Sequence, residues 1–137
     1  MQDVTSMRPA TMAQNIPLVE INNLKVTFKT RNGLVEAVSG VSFDLAKGET
    51  LGIVGESGSG KSVTSYALMR ILDRAGEIAA CKLAFSGVDI AAARESEMRD
   101  LRGREISMIF QNPRMALNPI RKVGEQIADV LIQHAQA

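Results

Sequence analysis

The chain has 137 residues, 45% of them hydrophobic and 23% charged, with a formal net charge of +1. That length suits one globular domain with a core and leaves no room for two. A balance so near neutrality excludes the strong one-signed field that draws nucleic acid or an anionic membrane surface. The single cysteine, Cys81, excludes an intramolecular disulfide framework and fits a reducing compartment; its expected role is that of a small buried hydrophobe.

Residues 1–17 are polar, carry Pro9 and Pro17, lack the apolar core of a secretory signal, and are read as a mobile leader before the domain at 18–137. No apolar run approaches a membrane span, so the protein is expected in the cytoplasm, with any membrane association coming through a partner. LVEINNLKVTF (18–28) and VEAVSGVSFDL (35–45) alternate imperfectly between apolar and polar residues and predict two half-buried strands. Asn32-Gly33 between them predicts an antiparallel hairpin. TLGIVG (50–55) does not alternate and predicts a strand buried on both faces. Beyond Lys61, the apolar residues Val63, Tyr66, Ala67, Met69, Ile71 and Leu72 follow helical spacing, with Gly76 as the expected stop. EIAACKLAFSGVDI is strand-like, with a hairpin edge expected around Cys81 to Phe85, and ARESEMRDLRGRE predicts a short exposed helix. ISMIFQ (106–111) predicts another buried strand, broken by the prolines of NPRMALNP. VGEQIADVLIQHAQA closes the chain as a helix with Val123, Ile127, Val130 and Leu131 on one face, and its His134 is expected to be solvated.

The chemistry concentrates in GESGSGKS. Gly55, Gly60, Lys61 and Ser62 fit G-x-x-x-x-G-K-[ST], the phosphate-binding loop, and each residue type has its own reason. Glycines let the backbone come close and take positive φ, so that successive N–H groups point into one concavity suited to anionic oxygen. The helix that starts near Lys61 adds its positive end. Lys61 supplies a point charge for the β and γ phosphates, and the Ser62 hydroxyl supplies one ligand of a magnesium ion that keeps several waters. The predicted site for Mg-ATP therefore comprises Gly55, Glu56, Ser57, Gly58, Ser59, Gly60, Lys61, Ser62 and Val63. Two rival motifs fail. Gly58 and Gly60 begin G-x-G-x-x-G, but Val63 stands at its last position. Asp100 to Gly103 fits D-x-x-G, yet it follows a charged segment and no N-K-x-D accompanies it.

AVSGVSFDLAKGETLGIVGESGSGKSVTSYALM and ISMIFQNPRMALNPIRKVGEQI together resemble the ATP-binding subunit of ABC transporters, in the di- and oligopeptide (and nickel) importer group. The likeness runs from about Leu18 onward. It implies an α/β fold, a P-loop NTPase core with an antiparallel β subdomain. It implies that Gln111 is the glutamine that helps hold magnesium and the attacking water and relays nucleotide state, that Phe28 stacks on adenine, and that 112–119 lies near the coupling surface. Asn112 departs from the aspartate common after that glutamine. The implied partners are transmembrane subunits, a second ATP-binding subunit and, indirectly, a solute-binding protein, with the subunit at the cytoplasmic face of the membrane. Nucleic acid is not among them.

The family also places an L-S-G-G-Q-type signature, an apolar strand ending in Asp-Glu and a switch histidine after the glutamine, and none follows Gln111 here, so the P-loop core is expected to be incomplete. With no carboxylate to orient water and no signature for a partner's site, this chain alone is not expected to hydrolyse ATP. The alternative expectation is a truncated, inactive remnant that binds nucleotide or a partner. A small P-loop kinase or GTPase is a third class, disfavoured by the motif order.

Overall fold

The computed structural model describes residues 16–135, so most of the predicted leader lies outside the described residues. Two compact units are present, one running up to Ala93 and the other starting at Arg94.

In the first unit, β1 (Val19–Thr30) and β2 (Gly33–Leu45) form the expected antiparallel hairpin. The turn residues are Arg31 and Asn32, and Gly33 follows at φ +114° as the first residue of β2. A turn followed by a positive-φ glycine is the bulged hairpin that matches strand twist. The imperfect alternation of β1 has a physical cause. Val19 and Ile21 are buried at odd positions, Leu24 and Val26 at even ones, and the register shifts between them. Asn23 takes φ +50° there, and its N–H donates to Ser42 Oγ at 2.8 Å. The inserted residue returns the apolar set to one face.

On the other side of β1 lie two short strands, β3 (Gly76–Ala79) against residues 25–28 and β4 (Lys82–Phe85) against residues 19–22. The hairpin expected near Cys81 is therefore formed differently. β3 and β4 both pair with β1, and the tight turn is Ser86-Gly87, both at positive φ, leading into β5 (Val88–Asp89). Cys81 sits between β3 and β4 and is exposed, not buried; its N–H donates to Asn22 O at 2.9 Å and its sulfur accepts from Asn23 Nδ2.

Helix α1 (Lys61–Met69) packs on β1 and β2. Its buried residues Thr64, Ala67 and Met69 join Val26, Leu24, Val38, Leu83, Phe85 and Ile90 in the core. The helix stops before the expected Gly76. Arg70 takes the left-handed conformation at φ +50°, its N–H bonds Ala67 O and the Ile71 N–H bonds Tyr66 O, a Schellman closure. The strain of a non-glycine residue there is offset by its guanidinium, which donates to the Ile90 and Ala93 carbonyls. Gly76 instead opens β3.

Two predicted strands are absent. Residues 50–55 and 106–111 form no strand, Ile106 making only an isolated bridge, and Val54 and Ile109 are 86% and 93% exposed. An apolar run becomes a buried parallel strand only where neighbours supply hydrogen bonds on both edges and helices cover both faces. Every strand pairing among the described residues is antiparallel, apart from an isolated parallel bridge between Arg102 and Ile106. The result is a mixed α/β fold whose sheet is antiparallel and whose P-loop core is incomplete.

The second unit carries the expected short helix α2 (Glu95–Leu101), a 3-10 turn (Pro113–Ala116) and the expected helix α3 (Val123–His134). Met98 is the fully buried residue of α2. DLRG forms the end of α2 and the left-handed Gly103 turn, where the His134 ring lies against the glycine and is half-buried. Gln126 ties the approach to α3, donating to Asn118 O and Arg121 O and accepting the Asn118 N–H at 2.9 Å.

Candidate functional site

The loop of residues 55–60 enters α1 through Gly60 at φ +90°, with Gly58 also at positive φ. Gly60 lies flat on β2. A Cβ built on it would stand 2.6 Å from the Ala37 carbonyl oxygen and 3.1 Å from Val38 Cγ2. The position therefore demands glycine twice over, by conformation and by space. Its own carbonyl is held from the helix side, accepting the Thr64 N–H at 2.9 Å and the Thr64 hydroxyl at 2.8 Å. Thr64 is buried, so this anchor is shielded from water.

Lys61 folds back into the loop. Its Nζ donates to Gly55 O at 2.7 Å, Glu56 O at 2.7 Å and Ser59 Oγ at 3.1 Å. The Ser59 N–H in turn donates to Glu56 O at 3.2 Å. Ser57 and Ser62 are exposed, Ser62 as the second residue of α1, and Val63 is half-buried one residue further. A cleft of about 420 Å³ adjoins the loop, walled by Ala37, Val38 and Phe43 of β2, by Ile53 and Val54, and by Glu56 and Lys61. Loop, lysine and helix start thus form one concave feature carrying a positive charge at the helix's positive end.

Phe28 lies near the end of β1, half-buried, with Val35 of β2 and Gly76 of β3 as register partners. Its ring packs over Gly76, where a Cβ would come within 2.9 Å of Phe28 Cε1. Val35 is two residues along β2 from Ala37, so the hairpin that carries Phe28 also carries the loop's support. Gln111 is exposed in the second unit, just before the 3-10 turn. The loop residues are brought together as their spacing predicts. The β2 wall at Ala37 and Val38 was not anticipated, because nothing in an apolar pair of a strand announces that a loop far along the chain will lie on it.

A glycine loop on a helix start, a lysine turned into it and a flanking antiparallel sheet are the features of a P-loop fold. The ABC transporter family model matches residues 38–137, and the chain belongs to that family. It is 51% identical over 118 residues to the oligopeptide transport ATP-binding protein OppD of Bacillus subtilis (strain 168), covering 85% of this chain and 33% of that protein. It is 49% identical over 117 residues to the dipeptide transport ATP-binding protein DppD of Lactococcus lactis subsp. cremoris, covering 85% and 34%. With OppD of Escherichia coli (strain K12) the identity is 47% over 130 residues, covering 95% and 38%. The chain therefore spans about a third of the length of these curated relatives.

Proposed function

We propose that this chain is the nucleotide-binding part of an ATPase subunit that energises an ABC importer of di- or oligopeptides. The observation that carries the reading is the loop itself: a lysine drawn into a left-handed glycine turn at a helix start, in a chain of this family. The names of its relatives supply the peptide class.

In this reading the backbone N–H groups of residues 56–62 and the Lys61 ammonium hold the phosphates, and Ser62 offers its hydroxyl to magnesium. Among the described residues no cluster of His, Cys, Asp or Glu is placed to hold a metal. A magnesium ion that takes its ligands from one hydroxyl, phosphate oxygens and water requires no such cluster. The bound ion would neutralise charge on the phosphates. Gln111 would contribute to the ion and the attacking water, and Phe28 would stack on adenine.

No helix among the described residues is long and apolar enough to cross a membrane. The reading therefore assigns membrane attachment to transmembrane subunits, at the cytoplasmic face, with a second ATP-binding subunit completing the assembly and a solute-binding protein acting indirectly. The test uses the full-length protein with its partners. Lys61→Ala is expected to abolish ATP turnover; turnover at the wild-type rate would overturn the assignment.

A further inference from the structure

Helix α1 opens on Gly60 without the usual devices: it has no side-chain cap, and its first turn holds no acidic residue. What fastens this end lies one turn inside the helix. Gly60 O accepts two bonds from a single residue, the Thr64 N–H at 2.9 Å and the Thr64 hydroxyl at 2.8 Å. Thr64 is 5% exposed, so the hydroxyl makes its bond shielded from water.

In a trans peptide the carbonyl and the N–H that follows it lie in one plane and point opposite ways. With Gly60 O drawn toward Thr64, the Lys61 N–H is turned the other way, out of the helix start and toward the loop. The residue in front of that peptide is a glycine at φ +90° and ψ 8°, whose torsions offer little resistance to turning it. β2 bounds where Gly60 lies, with Ala37 O and Val38 Cγ2 beside it; Thr64 sets how its peptide is turned.

We propose that the Thr64 hydroxyl is a positioning group for the glycine loop: by holding the Gly60 carbonyl it presents the Lys61 N–H to the bound anion. Thr64 acts through the peptide and touches no ligand itself. The hydroxyl and the methyl group of one buried side chain therefore have separate duties, the first to the loop and the second to packing. The proposal rests on the nucleotide reading above for the identity of the anion, while the turning of the peptide is measurable without nucleotide.

The experiment compares two variants of the full-length protein: Thr64→Val, which keeps the shape and removes the hydroxyl, and Thr64→Ser, which keeps the hydroxyl and removes the methyl. Gly60 O retains the N–H of residue 64 in both, so neither leaves that carbonyl without a donor. Labelling glycine carbonyls with 13C and lysine nitrogens with 15N reports Gly-Lys peptides alone, and Gly60-Lys61 is the one such pair in this sequence. Thr64→Val is expected to move the Gly60 carbonyl resonance upfield, as loss of a donor does, and to weaken Mg-ATP in titration about 2- to 12-fold, the scale of one hydrogen bond. Thr64→Ser is expected to keep the wild-type resonance and affinity even where it lowers the denaturation midpoint. Affinity lost in Thr64→Ser and kept in Thr64→Val would overturn the proposal and assign Thr64 to packing. An unmoved resonance in Thr64→Val would overturn it as well, and so would a moved resonance with unchanged Mg-ATP affinity. A wild-type protein that binds no Mg-ATP would defeat the nucleotide reading instead; the Thr64→Val shift, reversed by serine, would then uphold the turning of the peptide.

Discussion

Gly60 carries two constraints that act together. Its φ of +90° strains any side-chain-bearing residue, and a methyl group would strike the Ala37 carbonyl. Gly60→Ala is expected to cost about 1–3 kcal/mol from the backbone conformation alone, with the contact adding to it. Chemical denaturation should show this loss, and titration should show Mg-ATP binding lost with it; a variant of unchanged midpoint and affinity would contradict the geometry. Phe28 presents a different balance, since its ring already packs over Gly76. If it also stacks on adenine, Phe28→Ala should weaken ATP by about 1–3 kcal/mol, roughly 5- to 150-fold, and leave tripolyphosphate affinity unaltered. Equal losses for both ligands would assign Phe28 to packing alone. The G-K-[ST] spacing made the loop legible because it constrains adjacent residues. The acceptors of Lys61 and the β2 wall were illegible because they depend on how the loop folds and where it lands.

Among the elements, α2 shows how a short helix is closed by local chemistry. The Glu97 carboxylate accepts the Arg94 N–H at 2.7 Å, and this backbone bond, aided by the Arg94 side chain, holds the carboxyl below the usual glutamate value. A depressed folded-state pKa contributes stability that is present above the unfolded value and is lost as pH falls through the folded one. The start of α2 should therefore fray on acidification below the ordinary glutamate range. The Arg94 amide shift, followed by NMR against pH, should track the Glu97 carboxyl titration and lose that dependence in Glu97→Gln. An Arg94 amide indifferent to pH would remove the cap. The hairpin, α1, α2 and α3 were readable because turn chemistry and apolar period are local. The end of α1 was not, since Arg70 replaces the usual glycine and is held there by carbonyls about twenty residues later in the chain.

Across the whole molecule, much apolar surface faces solvent. In the first unit Val54 is exposed; in the second, α3 separately exposes Val123, Ile127, Val130 and Leu131, each at least half exposed. Such surface favours association. A polypeptide of this sequence is expected to associate in a concentration-dependent manner in sedimentation velocity. Ile127→Lys combined with Leu131→Lys should reduce that association with little loss of stability, because both side chains are exposed. A monomer at all concentrations would contradict the expectation.

What the sequence determined by itself was local or combinatorial: the antiparallel hairpin, the glycine loop and the helix it opens, and the likeness to the family. Each depends on residues close together in the chain, whose conformational preferences act before any tertiary contact forms. Only the tertiary structure decided that 50–55 and 106–111 form no strands, that β3 and β4 share an edge of β1, and that Cys81 faces solvent. Strand formation is a property of pairs. An apolar run carries the potential to pair, but hydrogen-bonding partners from elsewhere in the chain determine whether a ladder forms.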